Sequence, residues 1–148
     1  MRKLWHRIWD TGRRNQPFNQ NGTMFKAMII AGCGGFIGTC LRFLTGKLAQ
    51  HLCHTPFPWG TFTVNIVGSF IIGILFGMAE KTHLISPSMN VLLITGFCGG
   101  FTTFSSFADD MYLLLQQKHW LFFTLYVGLS FLLGLALVWA GRTLVRPS

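Results

Sequence analysis

The chain has 148 residues, of which 51% are hydrophobic and 11% charged, with a mean hydropathy of +0.47. That balance excludes an ordinary soluble enzyme and fits a small, single-domain integral membrane protein. The net charge of +8 does not argue for nucleic-acid binding, because the basic residues lie outside the apolar spans or at their ends, where they orient the chain and meet lipid head groups. Cys33, Cys40, Cys53 and Cys98 form no C-x-x-C pair and no zinc spacing, and read as free packing thiols.

Residues 1–23 are polar and basic, carrying Arg2, Lys3, Arg7, Arg13 and Arg14. No compact apolar core followed by a small-residue cleavage site marks a signal peptide there. Leu4, Trp5, Ile8 and Trp9 suit one turn of an interfacial helix. The segment reads as a flexible basic extension, or as an upstream start-codon assignment with Met24 opening a shorter protein. Residues 24–148 read as a four-helix transmembrane channel domain. Its apolar segments run from about Phe25 to Leu48, Gly60 to Ala79, Asn90 to Gln116 and Trp120 to Gly141. Pro56 and Pro58 mark the entry to the second, and Ser86 and Pro87 precede the third. The predicted fold is therefore an all-α membrane protein with short loops and both termini on one side.

The third segment is long for one straight span and contains GFCGGFTTFSSF, Gly96 to Phe107. Irregular backbone cannot face lipid, since each unpaired amide or carbonyl in hydrocarbon costs several kcal/mol. A backbone built to loosen at that depth lines a cavity or is buried in protein. The spacing predicts a third helix broken at its middle, and a channel or transporter rather than an anchor.

Four helices do not readily enclose a hydrophilic path alone. Gly34 with Gly38, Ser69 with Gly73 and Gly77, and Ser130 with Gly134 form small-x-x-x-small faces, through which two monomers are expected to associate as a homodimer. From Met24 onward, Lys26, Lys81, Arg142 and Arg146 fall on the side holding both termini, and Arg42, Lys47 and Lys118 on the other. So even a distribution sets orientation weakly and predicts dual topology, hence an antiparallel dimer. The positive charges of residues 1–23 push the other way.

Thr61, Asn65 and Ser69 recur every four residues on one helical face, and Tyr126, Ser130 and Gly134 repeat that spacing. Thr102, Thr103, Ser105 and Ser106 surround the break. Together they furnish either a track of neutral hydrogen-bond groups or interhelical packing polarity. Neutral donors beside aromatic ring edges, which are electropositive, suit a small anion. Phe104 and Phe107, three apart within the break, are placed to present such edges. Arg42 reads as an electropositive mouth or as a snorkelling anchor. Asp109 and Asp110 read as helix-capping groups or as part of the track. The histidines (His6, His51, His54, His83 and His119) fall in loops or the tail, and no His/Asp/Glu cluster suggests an enzyme.

Three motifs, GGFIGTCLRF (Gly34 to Phe43), PWGTFTVNIVGSFIIG (Pro58 to Gly73) and GFCGGFTTFSSF, give a match to a known family. From about Met24 to Arg146 the chain resembles the Fluc fluoride channels, also called CrcB proteins. The resemblance implies an antiparallel dimer of four-helix subunits with two pores. It implies that Phe104 and Phe107 line the fluoride path, that Asn65 faces the pore, that Thr61, Ser105, Ser106, Tyr126 and Ser130 lie along the polar route, and that Arg42 sits in the aqueous vestibule. It implies a structural sodium ion on the backbone carbonyls at Gly99 and Thr102. Thr39 stands where alanine is usual, Phe43 where tyrosine is common, Ser106 for threonine and Asp110 for glutamate. The expected protein is a passive fluoride exporter of the cytoplasmic (inner) membrane, with fluoride, a second copy and lipid as partners and no nucleic acid. The rival readings are a small proton-coupled multidrug exporter, for which the first span lacks the needed carboxylate, and a structural membrane subunit.

Overall fold

The computed structural model describes residues 20–81 and 85–145. The readings that fall on residues 1–19, 82–84 and 146–148 lie outside them. Helix α1 spans Gln20–Leu52 and α2 spans Trp59–Lys81. The third span runs from Pro87 to Gln116 in pieces. A first turn, α3 (Pro87–Asn90), is capped by the Ser86 hydroxyl accepting from Met89 N at 3.2 Å. It passes into wide π-type turns over Val91–Cys98 and a last short turn, α4 (Gly99–Phe101). Thr102 (φ −84°, ψ 159°) and Thr103 (φ −152°, ψ 119°) are extended, and α5 (Phe104–Gln116) resumes beyond them. Helix α6 spans Trp120–Leu144. Among the described residues four helices are long and apolar enough to cross a membrane. The expected all-α, four-span architecture therefore stands, although α1 begins at Gln20, inside the stretch assigned to the basic extension.

The spans form two closely packed pairs: α1 against the first half of the third span, and α2 against α6. Glycine sets both contacts. A Cβ on Gly38 would press into the Phe97 carbonyl and stand 2.8 Å from Phe101 N; one on Gly34 would meet the Leu92 carbonyl and Phe97 N. On α2, Gly73 abuts Val138 and Gly77 abuts Arg142, while Gly134 faces the Ser69 hydroxyl. The small-residue faces expected to join two monomers are thus consumed within one. Close backbone approach maximises dispersion where no hydrophobic drive exists between helices, and a neighbouring span of the same chain takes the glycine face first. Gly38→Val should destabilise the protein by about 1–3 kcal/mol or more through overpacking. Thermal unfolding in detergent should show a lowered midpoint, with Gly128→Ala, whose added carbon meets nothing within 4 Å, unchanged.

What remains outside is apolar. Phe36, Leu132, Leu135 and Trp139 are each more than two-thirds exposed, as helices facing acyl chains require. At one end, Arg142 Nη2 pairs with Glu80 Oε1 at 2.9 Å and its guanidinium lies 5.4 Å from the Phe76 ring centroid, so the ends of α2 and α6 share a membrane face. All four cysteines are free, but only Cys98 is buried; the packing role expected for Cys33, Cys40 and Cys53 is not seen in the chain.

Candidate functional site

The two extended residues of the third span are held by a side chain from α2. Asn65 Nδ2 donates to the Thr103 carbonyl at 3.0 Å, and Thr103 N donates to Asn65 Oδ1 at 2.8 Å. One side-chain amide thereby satisfies both backbone polar groups of a residue that no helix serves, a demand that is steep in an apolar setting. Asn65 is anchored in turn, its own carbonyl accepting from Ser69 Oγ at 2.7 Å. Thr103 then caps the resumed helix: its Oγ1 accepts from Ser106 N at 3.2 Å, donates to Ser106 Oγ at 3.1 Å and lies 3.3 Å from Ser105 Oγ. Thr103 is therefore the hub of the break. The sequence places it there as one of several groups of a polar track or of packing polarity, not as a cap; the Thr-x-x-Ser cap spacing was the available signal.

These bonds have a second consequence. With Thr103 N turned to Asn65, the Gly99 carbonyl loses its helical donor, and with Ser106 N turned to Thr103 Oγ1, so does the Thr102 carbonyl. Unwound carbonyls beside a helix C-terminal end are ready oxygen ligands for a small hard cation. Gly99 is exposed and has no atom within 4 Å of where a Cβ would stand. The chemistry at these two positions, and the access at Gly99, fit the sodium ion that the family resemblance implies.

Beside the break lies a cavity of about 340 Å³, lined by Asn65, Gly68, Ser69, Ile72, Thr102, Thr103, Phe104, Phe107, Ser130 and Phe131. Ser130 Oγ is buried in its wall without a hydrogen-bond partner, so a neutral donor stands available there. Phe107 is 5% exposed and Phe104 76%, their ring centroids 6.1 Å apart. Phe107 is fixed by Tyr126 at 5.0 Å and, edge-on, by Phe131 at 6.0 Å. Phe131 escaped sequence reading, since one phenylalanine among fifteen carries no local mark.

On the far side of Tyr126, which is wholly buried, its hydroxyl donates to Asp110 Oδ2 at 3.0 Å, and Thr61 joins the same group. Thr61 and Asp110 line a second cavity, about 310 Å³, with Gln50, Thr55 and Gln117. The structure thus brings Asn65, Ser130, Phe104 and Phe107 around one cavity, places Thr61 at another and Tyr126 between them. Ser105 and Ser106 serve the cap. Arg42, half-buried on α1, lines neither cavity.

This is a polytopic helical membrane protein whose polar groups converge on an interrupted stretch of one span, the arrangement of proteins that pass small solutes across a bilayer. A family model described as "CrcB-like protein, Camphor Resistance (CrcB)" matches residues 29–142. The chain belongs to that family. It is similar to proteins named fluoride-specific ion channel FluC: 44% identical over 124 residues to that of Methylobacillus flagellatus (83% of this chain, 96% of the relative) and 40% over 121 residues to that of Flavobacterium psychrophilum (82% and 98%). The FluC of Leptospira interrogans is 35% identical over 121 residues, 82% of this chain and 95% of the relative.

Proposed function

We propose that this protein is a passive fluoride-selective channel of the cytoplasmic membrane that exports fluoride and confers fluoride resistance. The observation that carries the reading, with family membership, is the Asn65–Thr103 latch opening onto a cavity walled by Phe104, Phe107 and the unpartnered Ser130 hydroxyl. Fluoride entering that cavity sheds water. Neutral donors and electropositive ring edges replace it without a fixed cation that would hold the ion in place. An inside-negative potential then drives export, at about 2.3 kcal/mol per charge per 100 mV, with no nucleotide or redox cofactor.

The working unit in this reading is an antiparallel homodimer. Phe104 is largely exposed in one chain although it lines the cavity, and a second copy would cover it. The third-span break is its functional centre. A sodium ion held by the Gly99 and Thr102 carbonyls of both copies would neutralise their dipoles and pin the break; it is structural, not transported.

Reconstitution into liposomes with sodium on both sides tests the reading. A fluoride electrode should record rapid fluoride efflux under a potassium diffusion potential, and a chloride electrode almost none. Equal loss of the two halides would refute selectivity.

A further inference from the structure

Several described threonines of the spans share one habit that Thr39 does not follow. Thr45, Thr102, Thr124 and Thr143, like Ser69, turn their hydroxyls back onto the carbonyl four residues earlier, at 2.7–3.1 Å. That is the ordinary habit of a hydroxyl with no water to meet. Thr39, on α1, instead crosses to the third span, its Oγ1 donating to the Gly100 carbonyl at 3.5 Å. The crossing is possible because the two backbones nearly touch here: a Cβ on Gly100 would stand 2.5 Å from the Gly35 carbonyl oxygen and 3.0 Å from Gly35 Cα.

Gly100 lies between Gly99 and the break. A helical residue there would give its carbonyl to the amide of Phe104, which lies beyond the extended residues. The carbonyls around the break are thus divided. That of Cys98 accepts from both Thr102 N, at 3.0 Å, and Thr102 Oγ1, at 2.8 Å. That of Thr103 is taken by Asn65, and that of Gly100 by Thr39. Those of Gly99 and Thr102 have lost their helical donors.

We propose that Thr39 is a positioning residue for the cation site: by occupying the Gly100 carbonyl it keeps the peptide planes on either side directed so that Gly99 and Thr102 face a sodium ion. The inference rests on the reading of a structural sodium at those two carbonyls. Without a donor, the Gly100 carbonyl turns toward whatever positive charge is near, and the adjoining planes turn with it. The cost appears as weaker sodium binding and not as a change in the pore lining, because Thr39 lines neither cavity.

The test is a sodium titration of thermal stability on the purified full chain in detergent, with N-methyl-D-glucamine as the replacement cation. A ligand that binds only the folded state raises the unfolding midpoint in proportion to its occupancy. The wild type should stabilise with sodium; Thr39→Val should need at least about fivefold more sodium for the same rise, and Thr39→Ser should stay within about twofold. Thr39→Ala, lacking the hydroxyl without added bulk, carries the same expectation as Thr39→Val. A wild-type sodium response left unmoved in Thr39→Val and Thr39→Ala, or moved equally in Thr39→Ser, overturns the inference while the sodium reading stands. No sodium response in the wild type overturns both.

Discussion

Asn65→Leu should reduce fluoride efflux from proteoliposomes by at least about thirtyfold and lower the thermal midpoint of the purified protein. The replacement keeps the side chain's bulk and removes both of its bonds to Thr103, at 3.0 and 2.8 Å. The Thr103 amide and carbonyl then stand unpaired in a mostly apolar wall. Each such loss costs about 1–3 kcal/mol, so the pair costs about 2–6 kcal/mol, and the lower figure alone corresponds to about a thirtyfold shift in the equilibrium constant away from the native break. The chain has an escape: it can re-form helix through Thr102 and Thr103, returning Thr103 N to the Gly99 carbonyl. That would erase the extended stretch and the carbonyls it frees. Efflux from Asn65→Leu at rates near wild type would show that the latch is dispensable for conduction.

Phe107→Ile and Phe104→Ile should each slow fluoride efflux by about tenfold or more, equivalent to about 1.4 kcal/mol on the barrier, yet differ in what they do to the fold. Phe107 is packed on Tyr126 and Phe131, and aromatic pairs contribute about 0.5–1.5 kcal/mol each beyond burial. Its replacement should lower the thermal midpoint as well. Phe104 is 76% exposed, so its replacement should leave the stability of the single chain nearly intact. Isoleucine is apolar and of similar size but has no electropositive ring edge. If both variants transported fluoride at the wild-type rate, the rings would be wall and not ligand.

The two phenylalanines share a helix yet occupy different environments, and that difference was not legible in the residues. Their spacing and their place inside a glycine- and threonine-rich run were. The same holds for Asn65: its face, with Thr61 and Ser69 at intervals of four, can be read from the chain, but its partner lies 38 residues away. The small-residue faces were misassigned for a related reason. Gly38 and Gly73 announce that something packs closely against them, and nothing in the sequence says that the neighbour is a span of the same chain.

By itself the sequence determined the solvent, the number of spans and the place where the third loosens. Each depends on local quantities: the length of an apolar run against the thickness of hydrocarbon, and the cost of unpaired peptide groups within it. Only the tertiary structure decided which groups relieve that cost. Asn65 latches Thr103, Thr39 reaches Gly100, and Tyr126 meets Asp110 across helices. A hydrogen bond works over about 3 Å, and which distant residues come within that range is settled by how glycine seams let the helices approach.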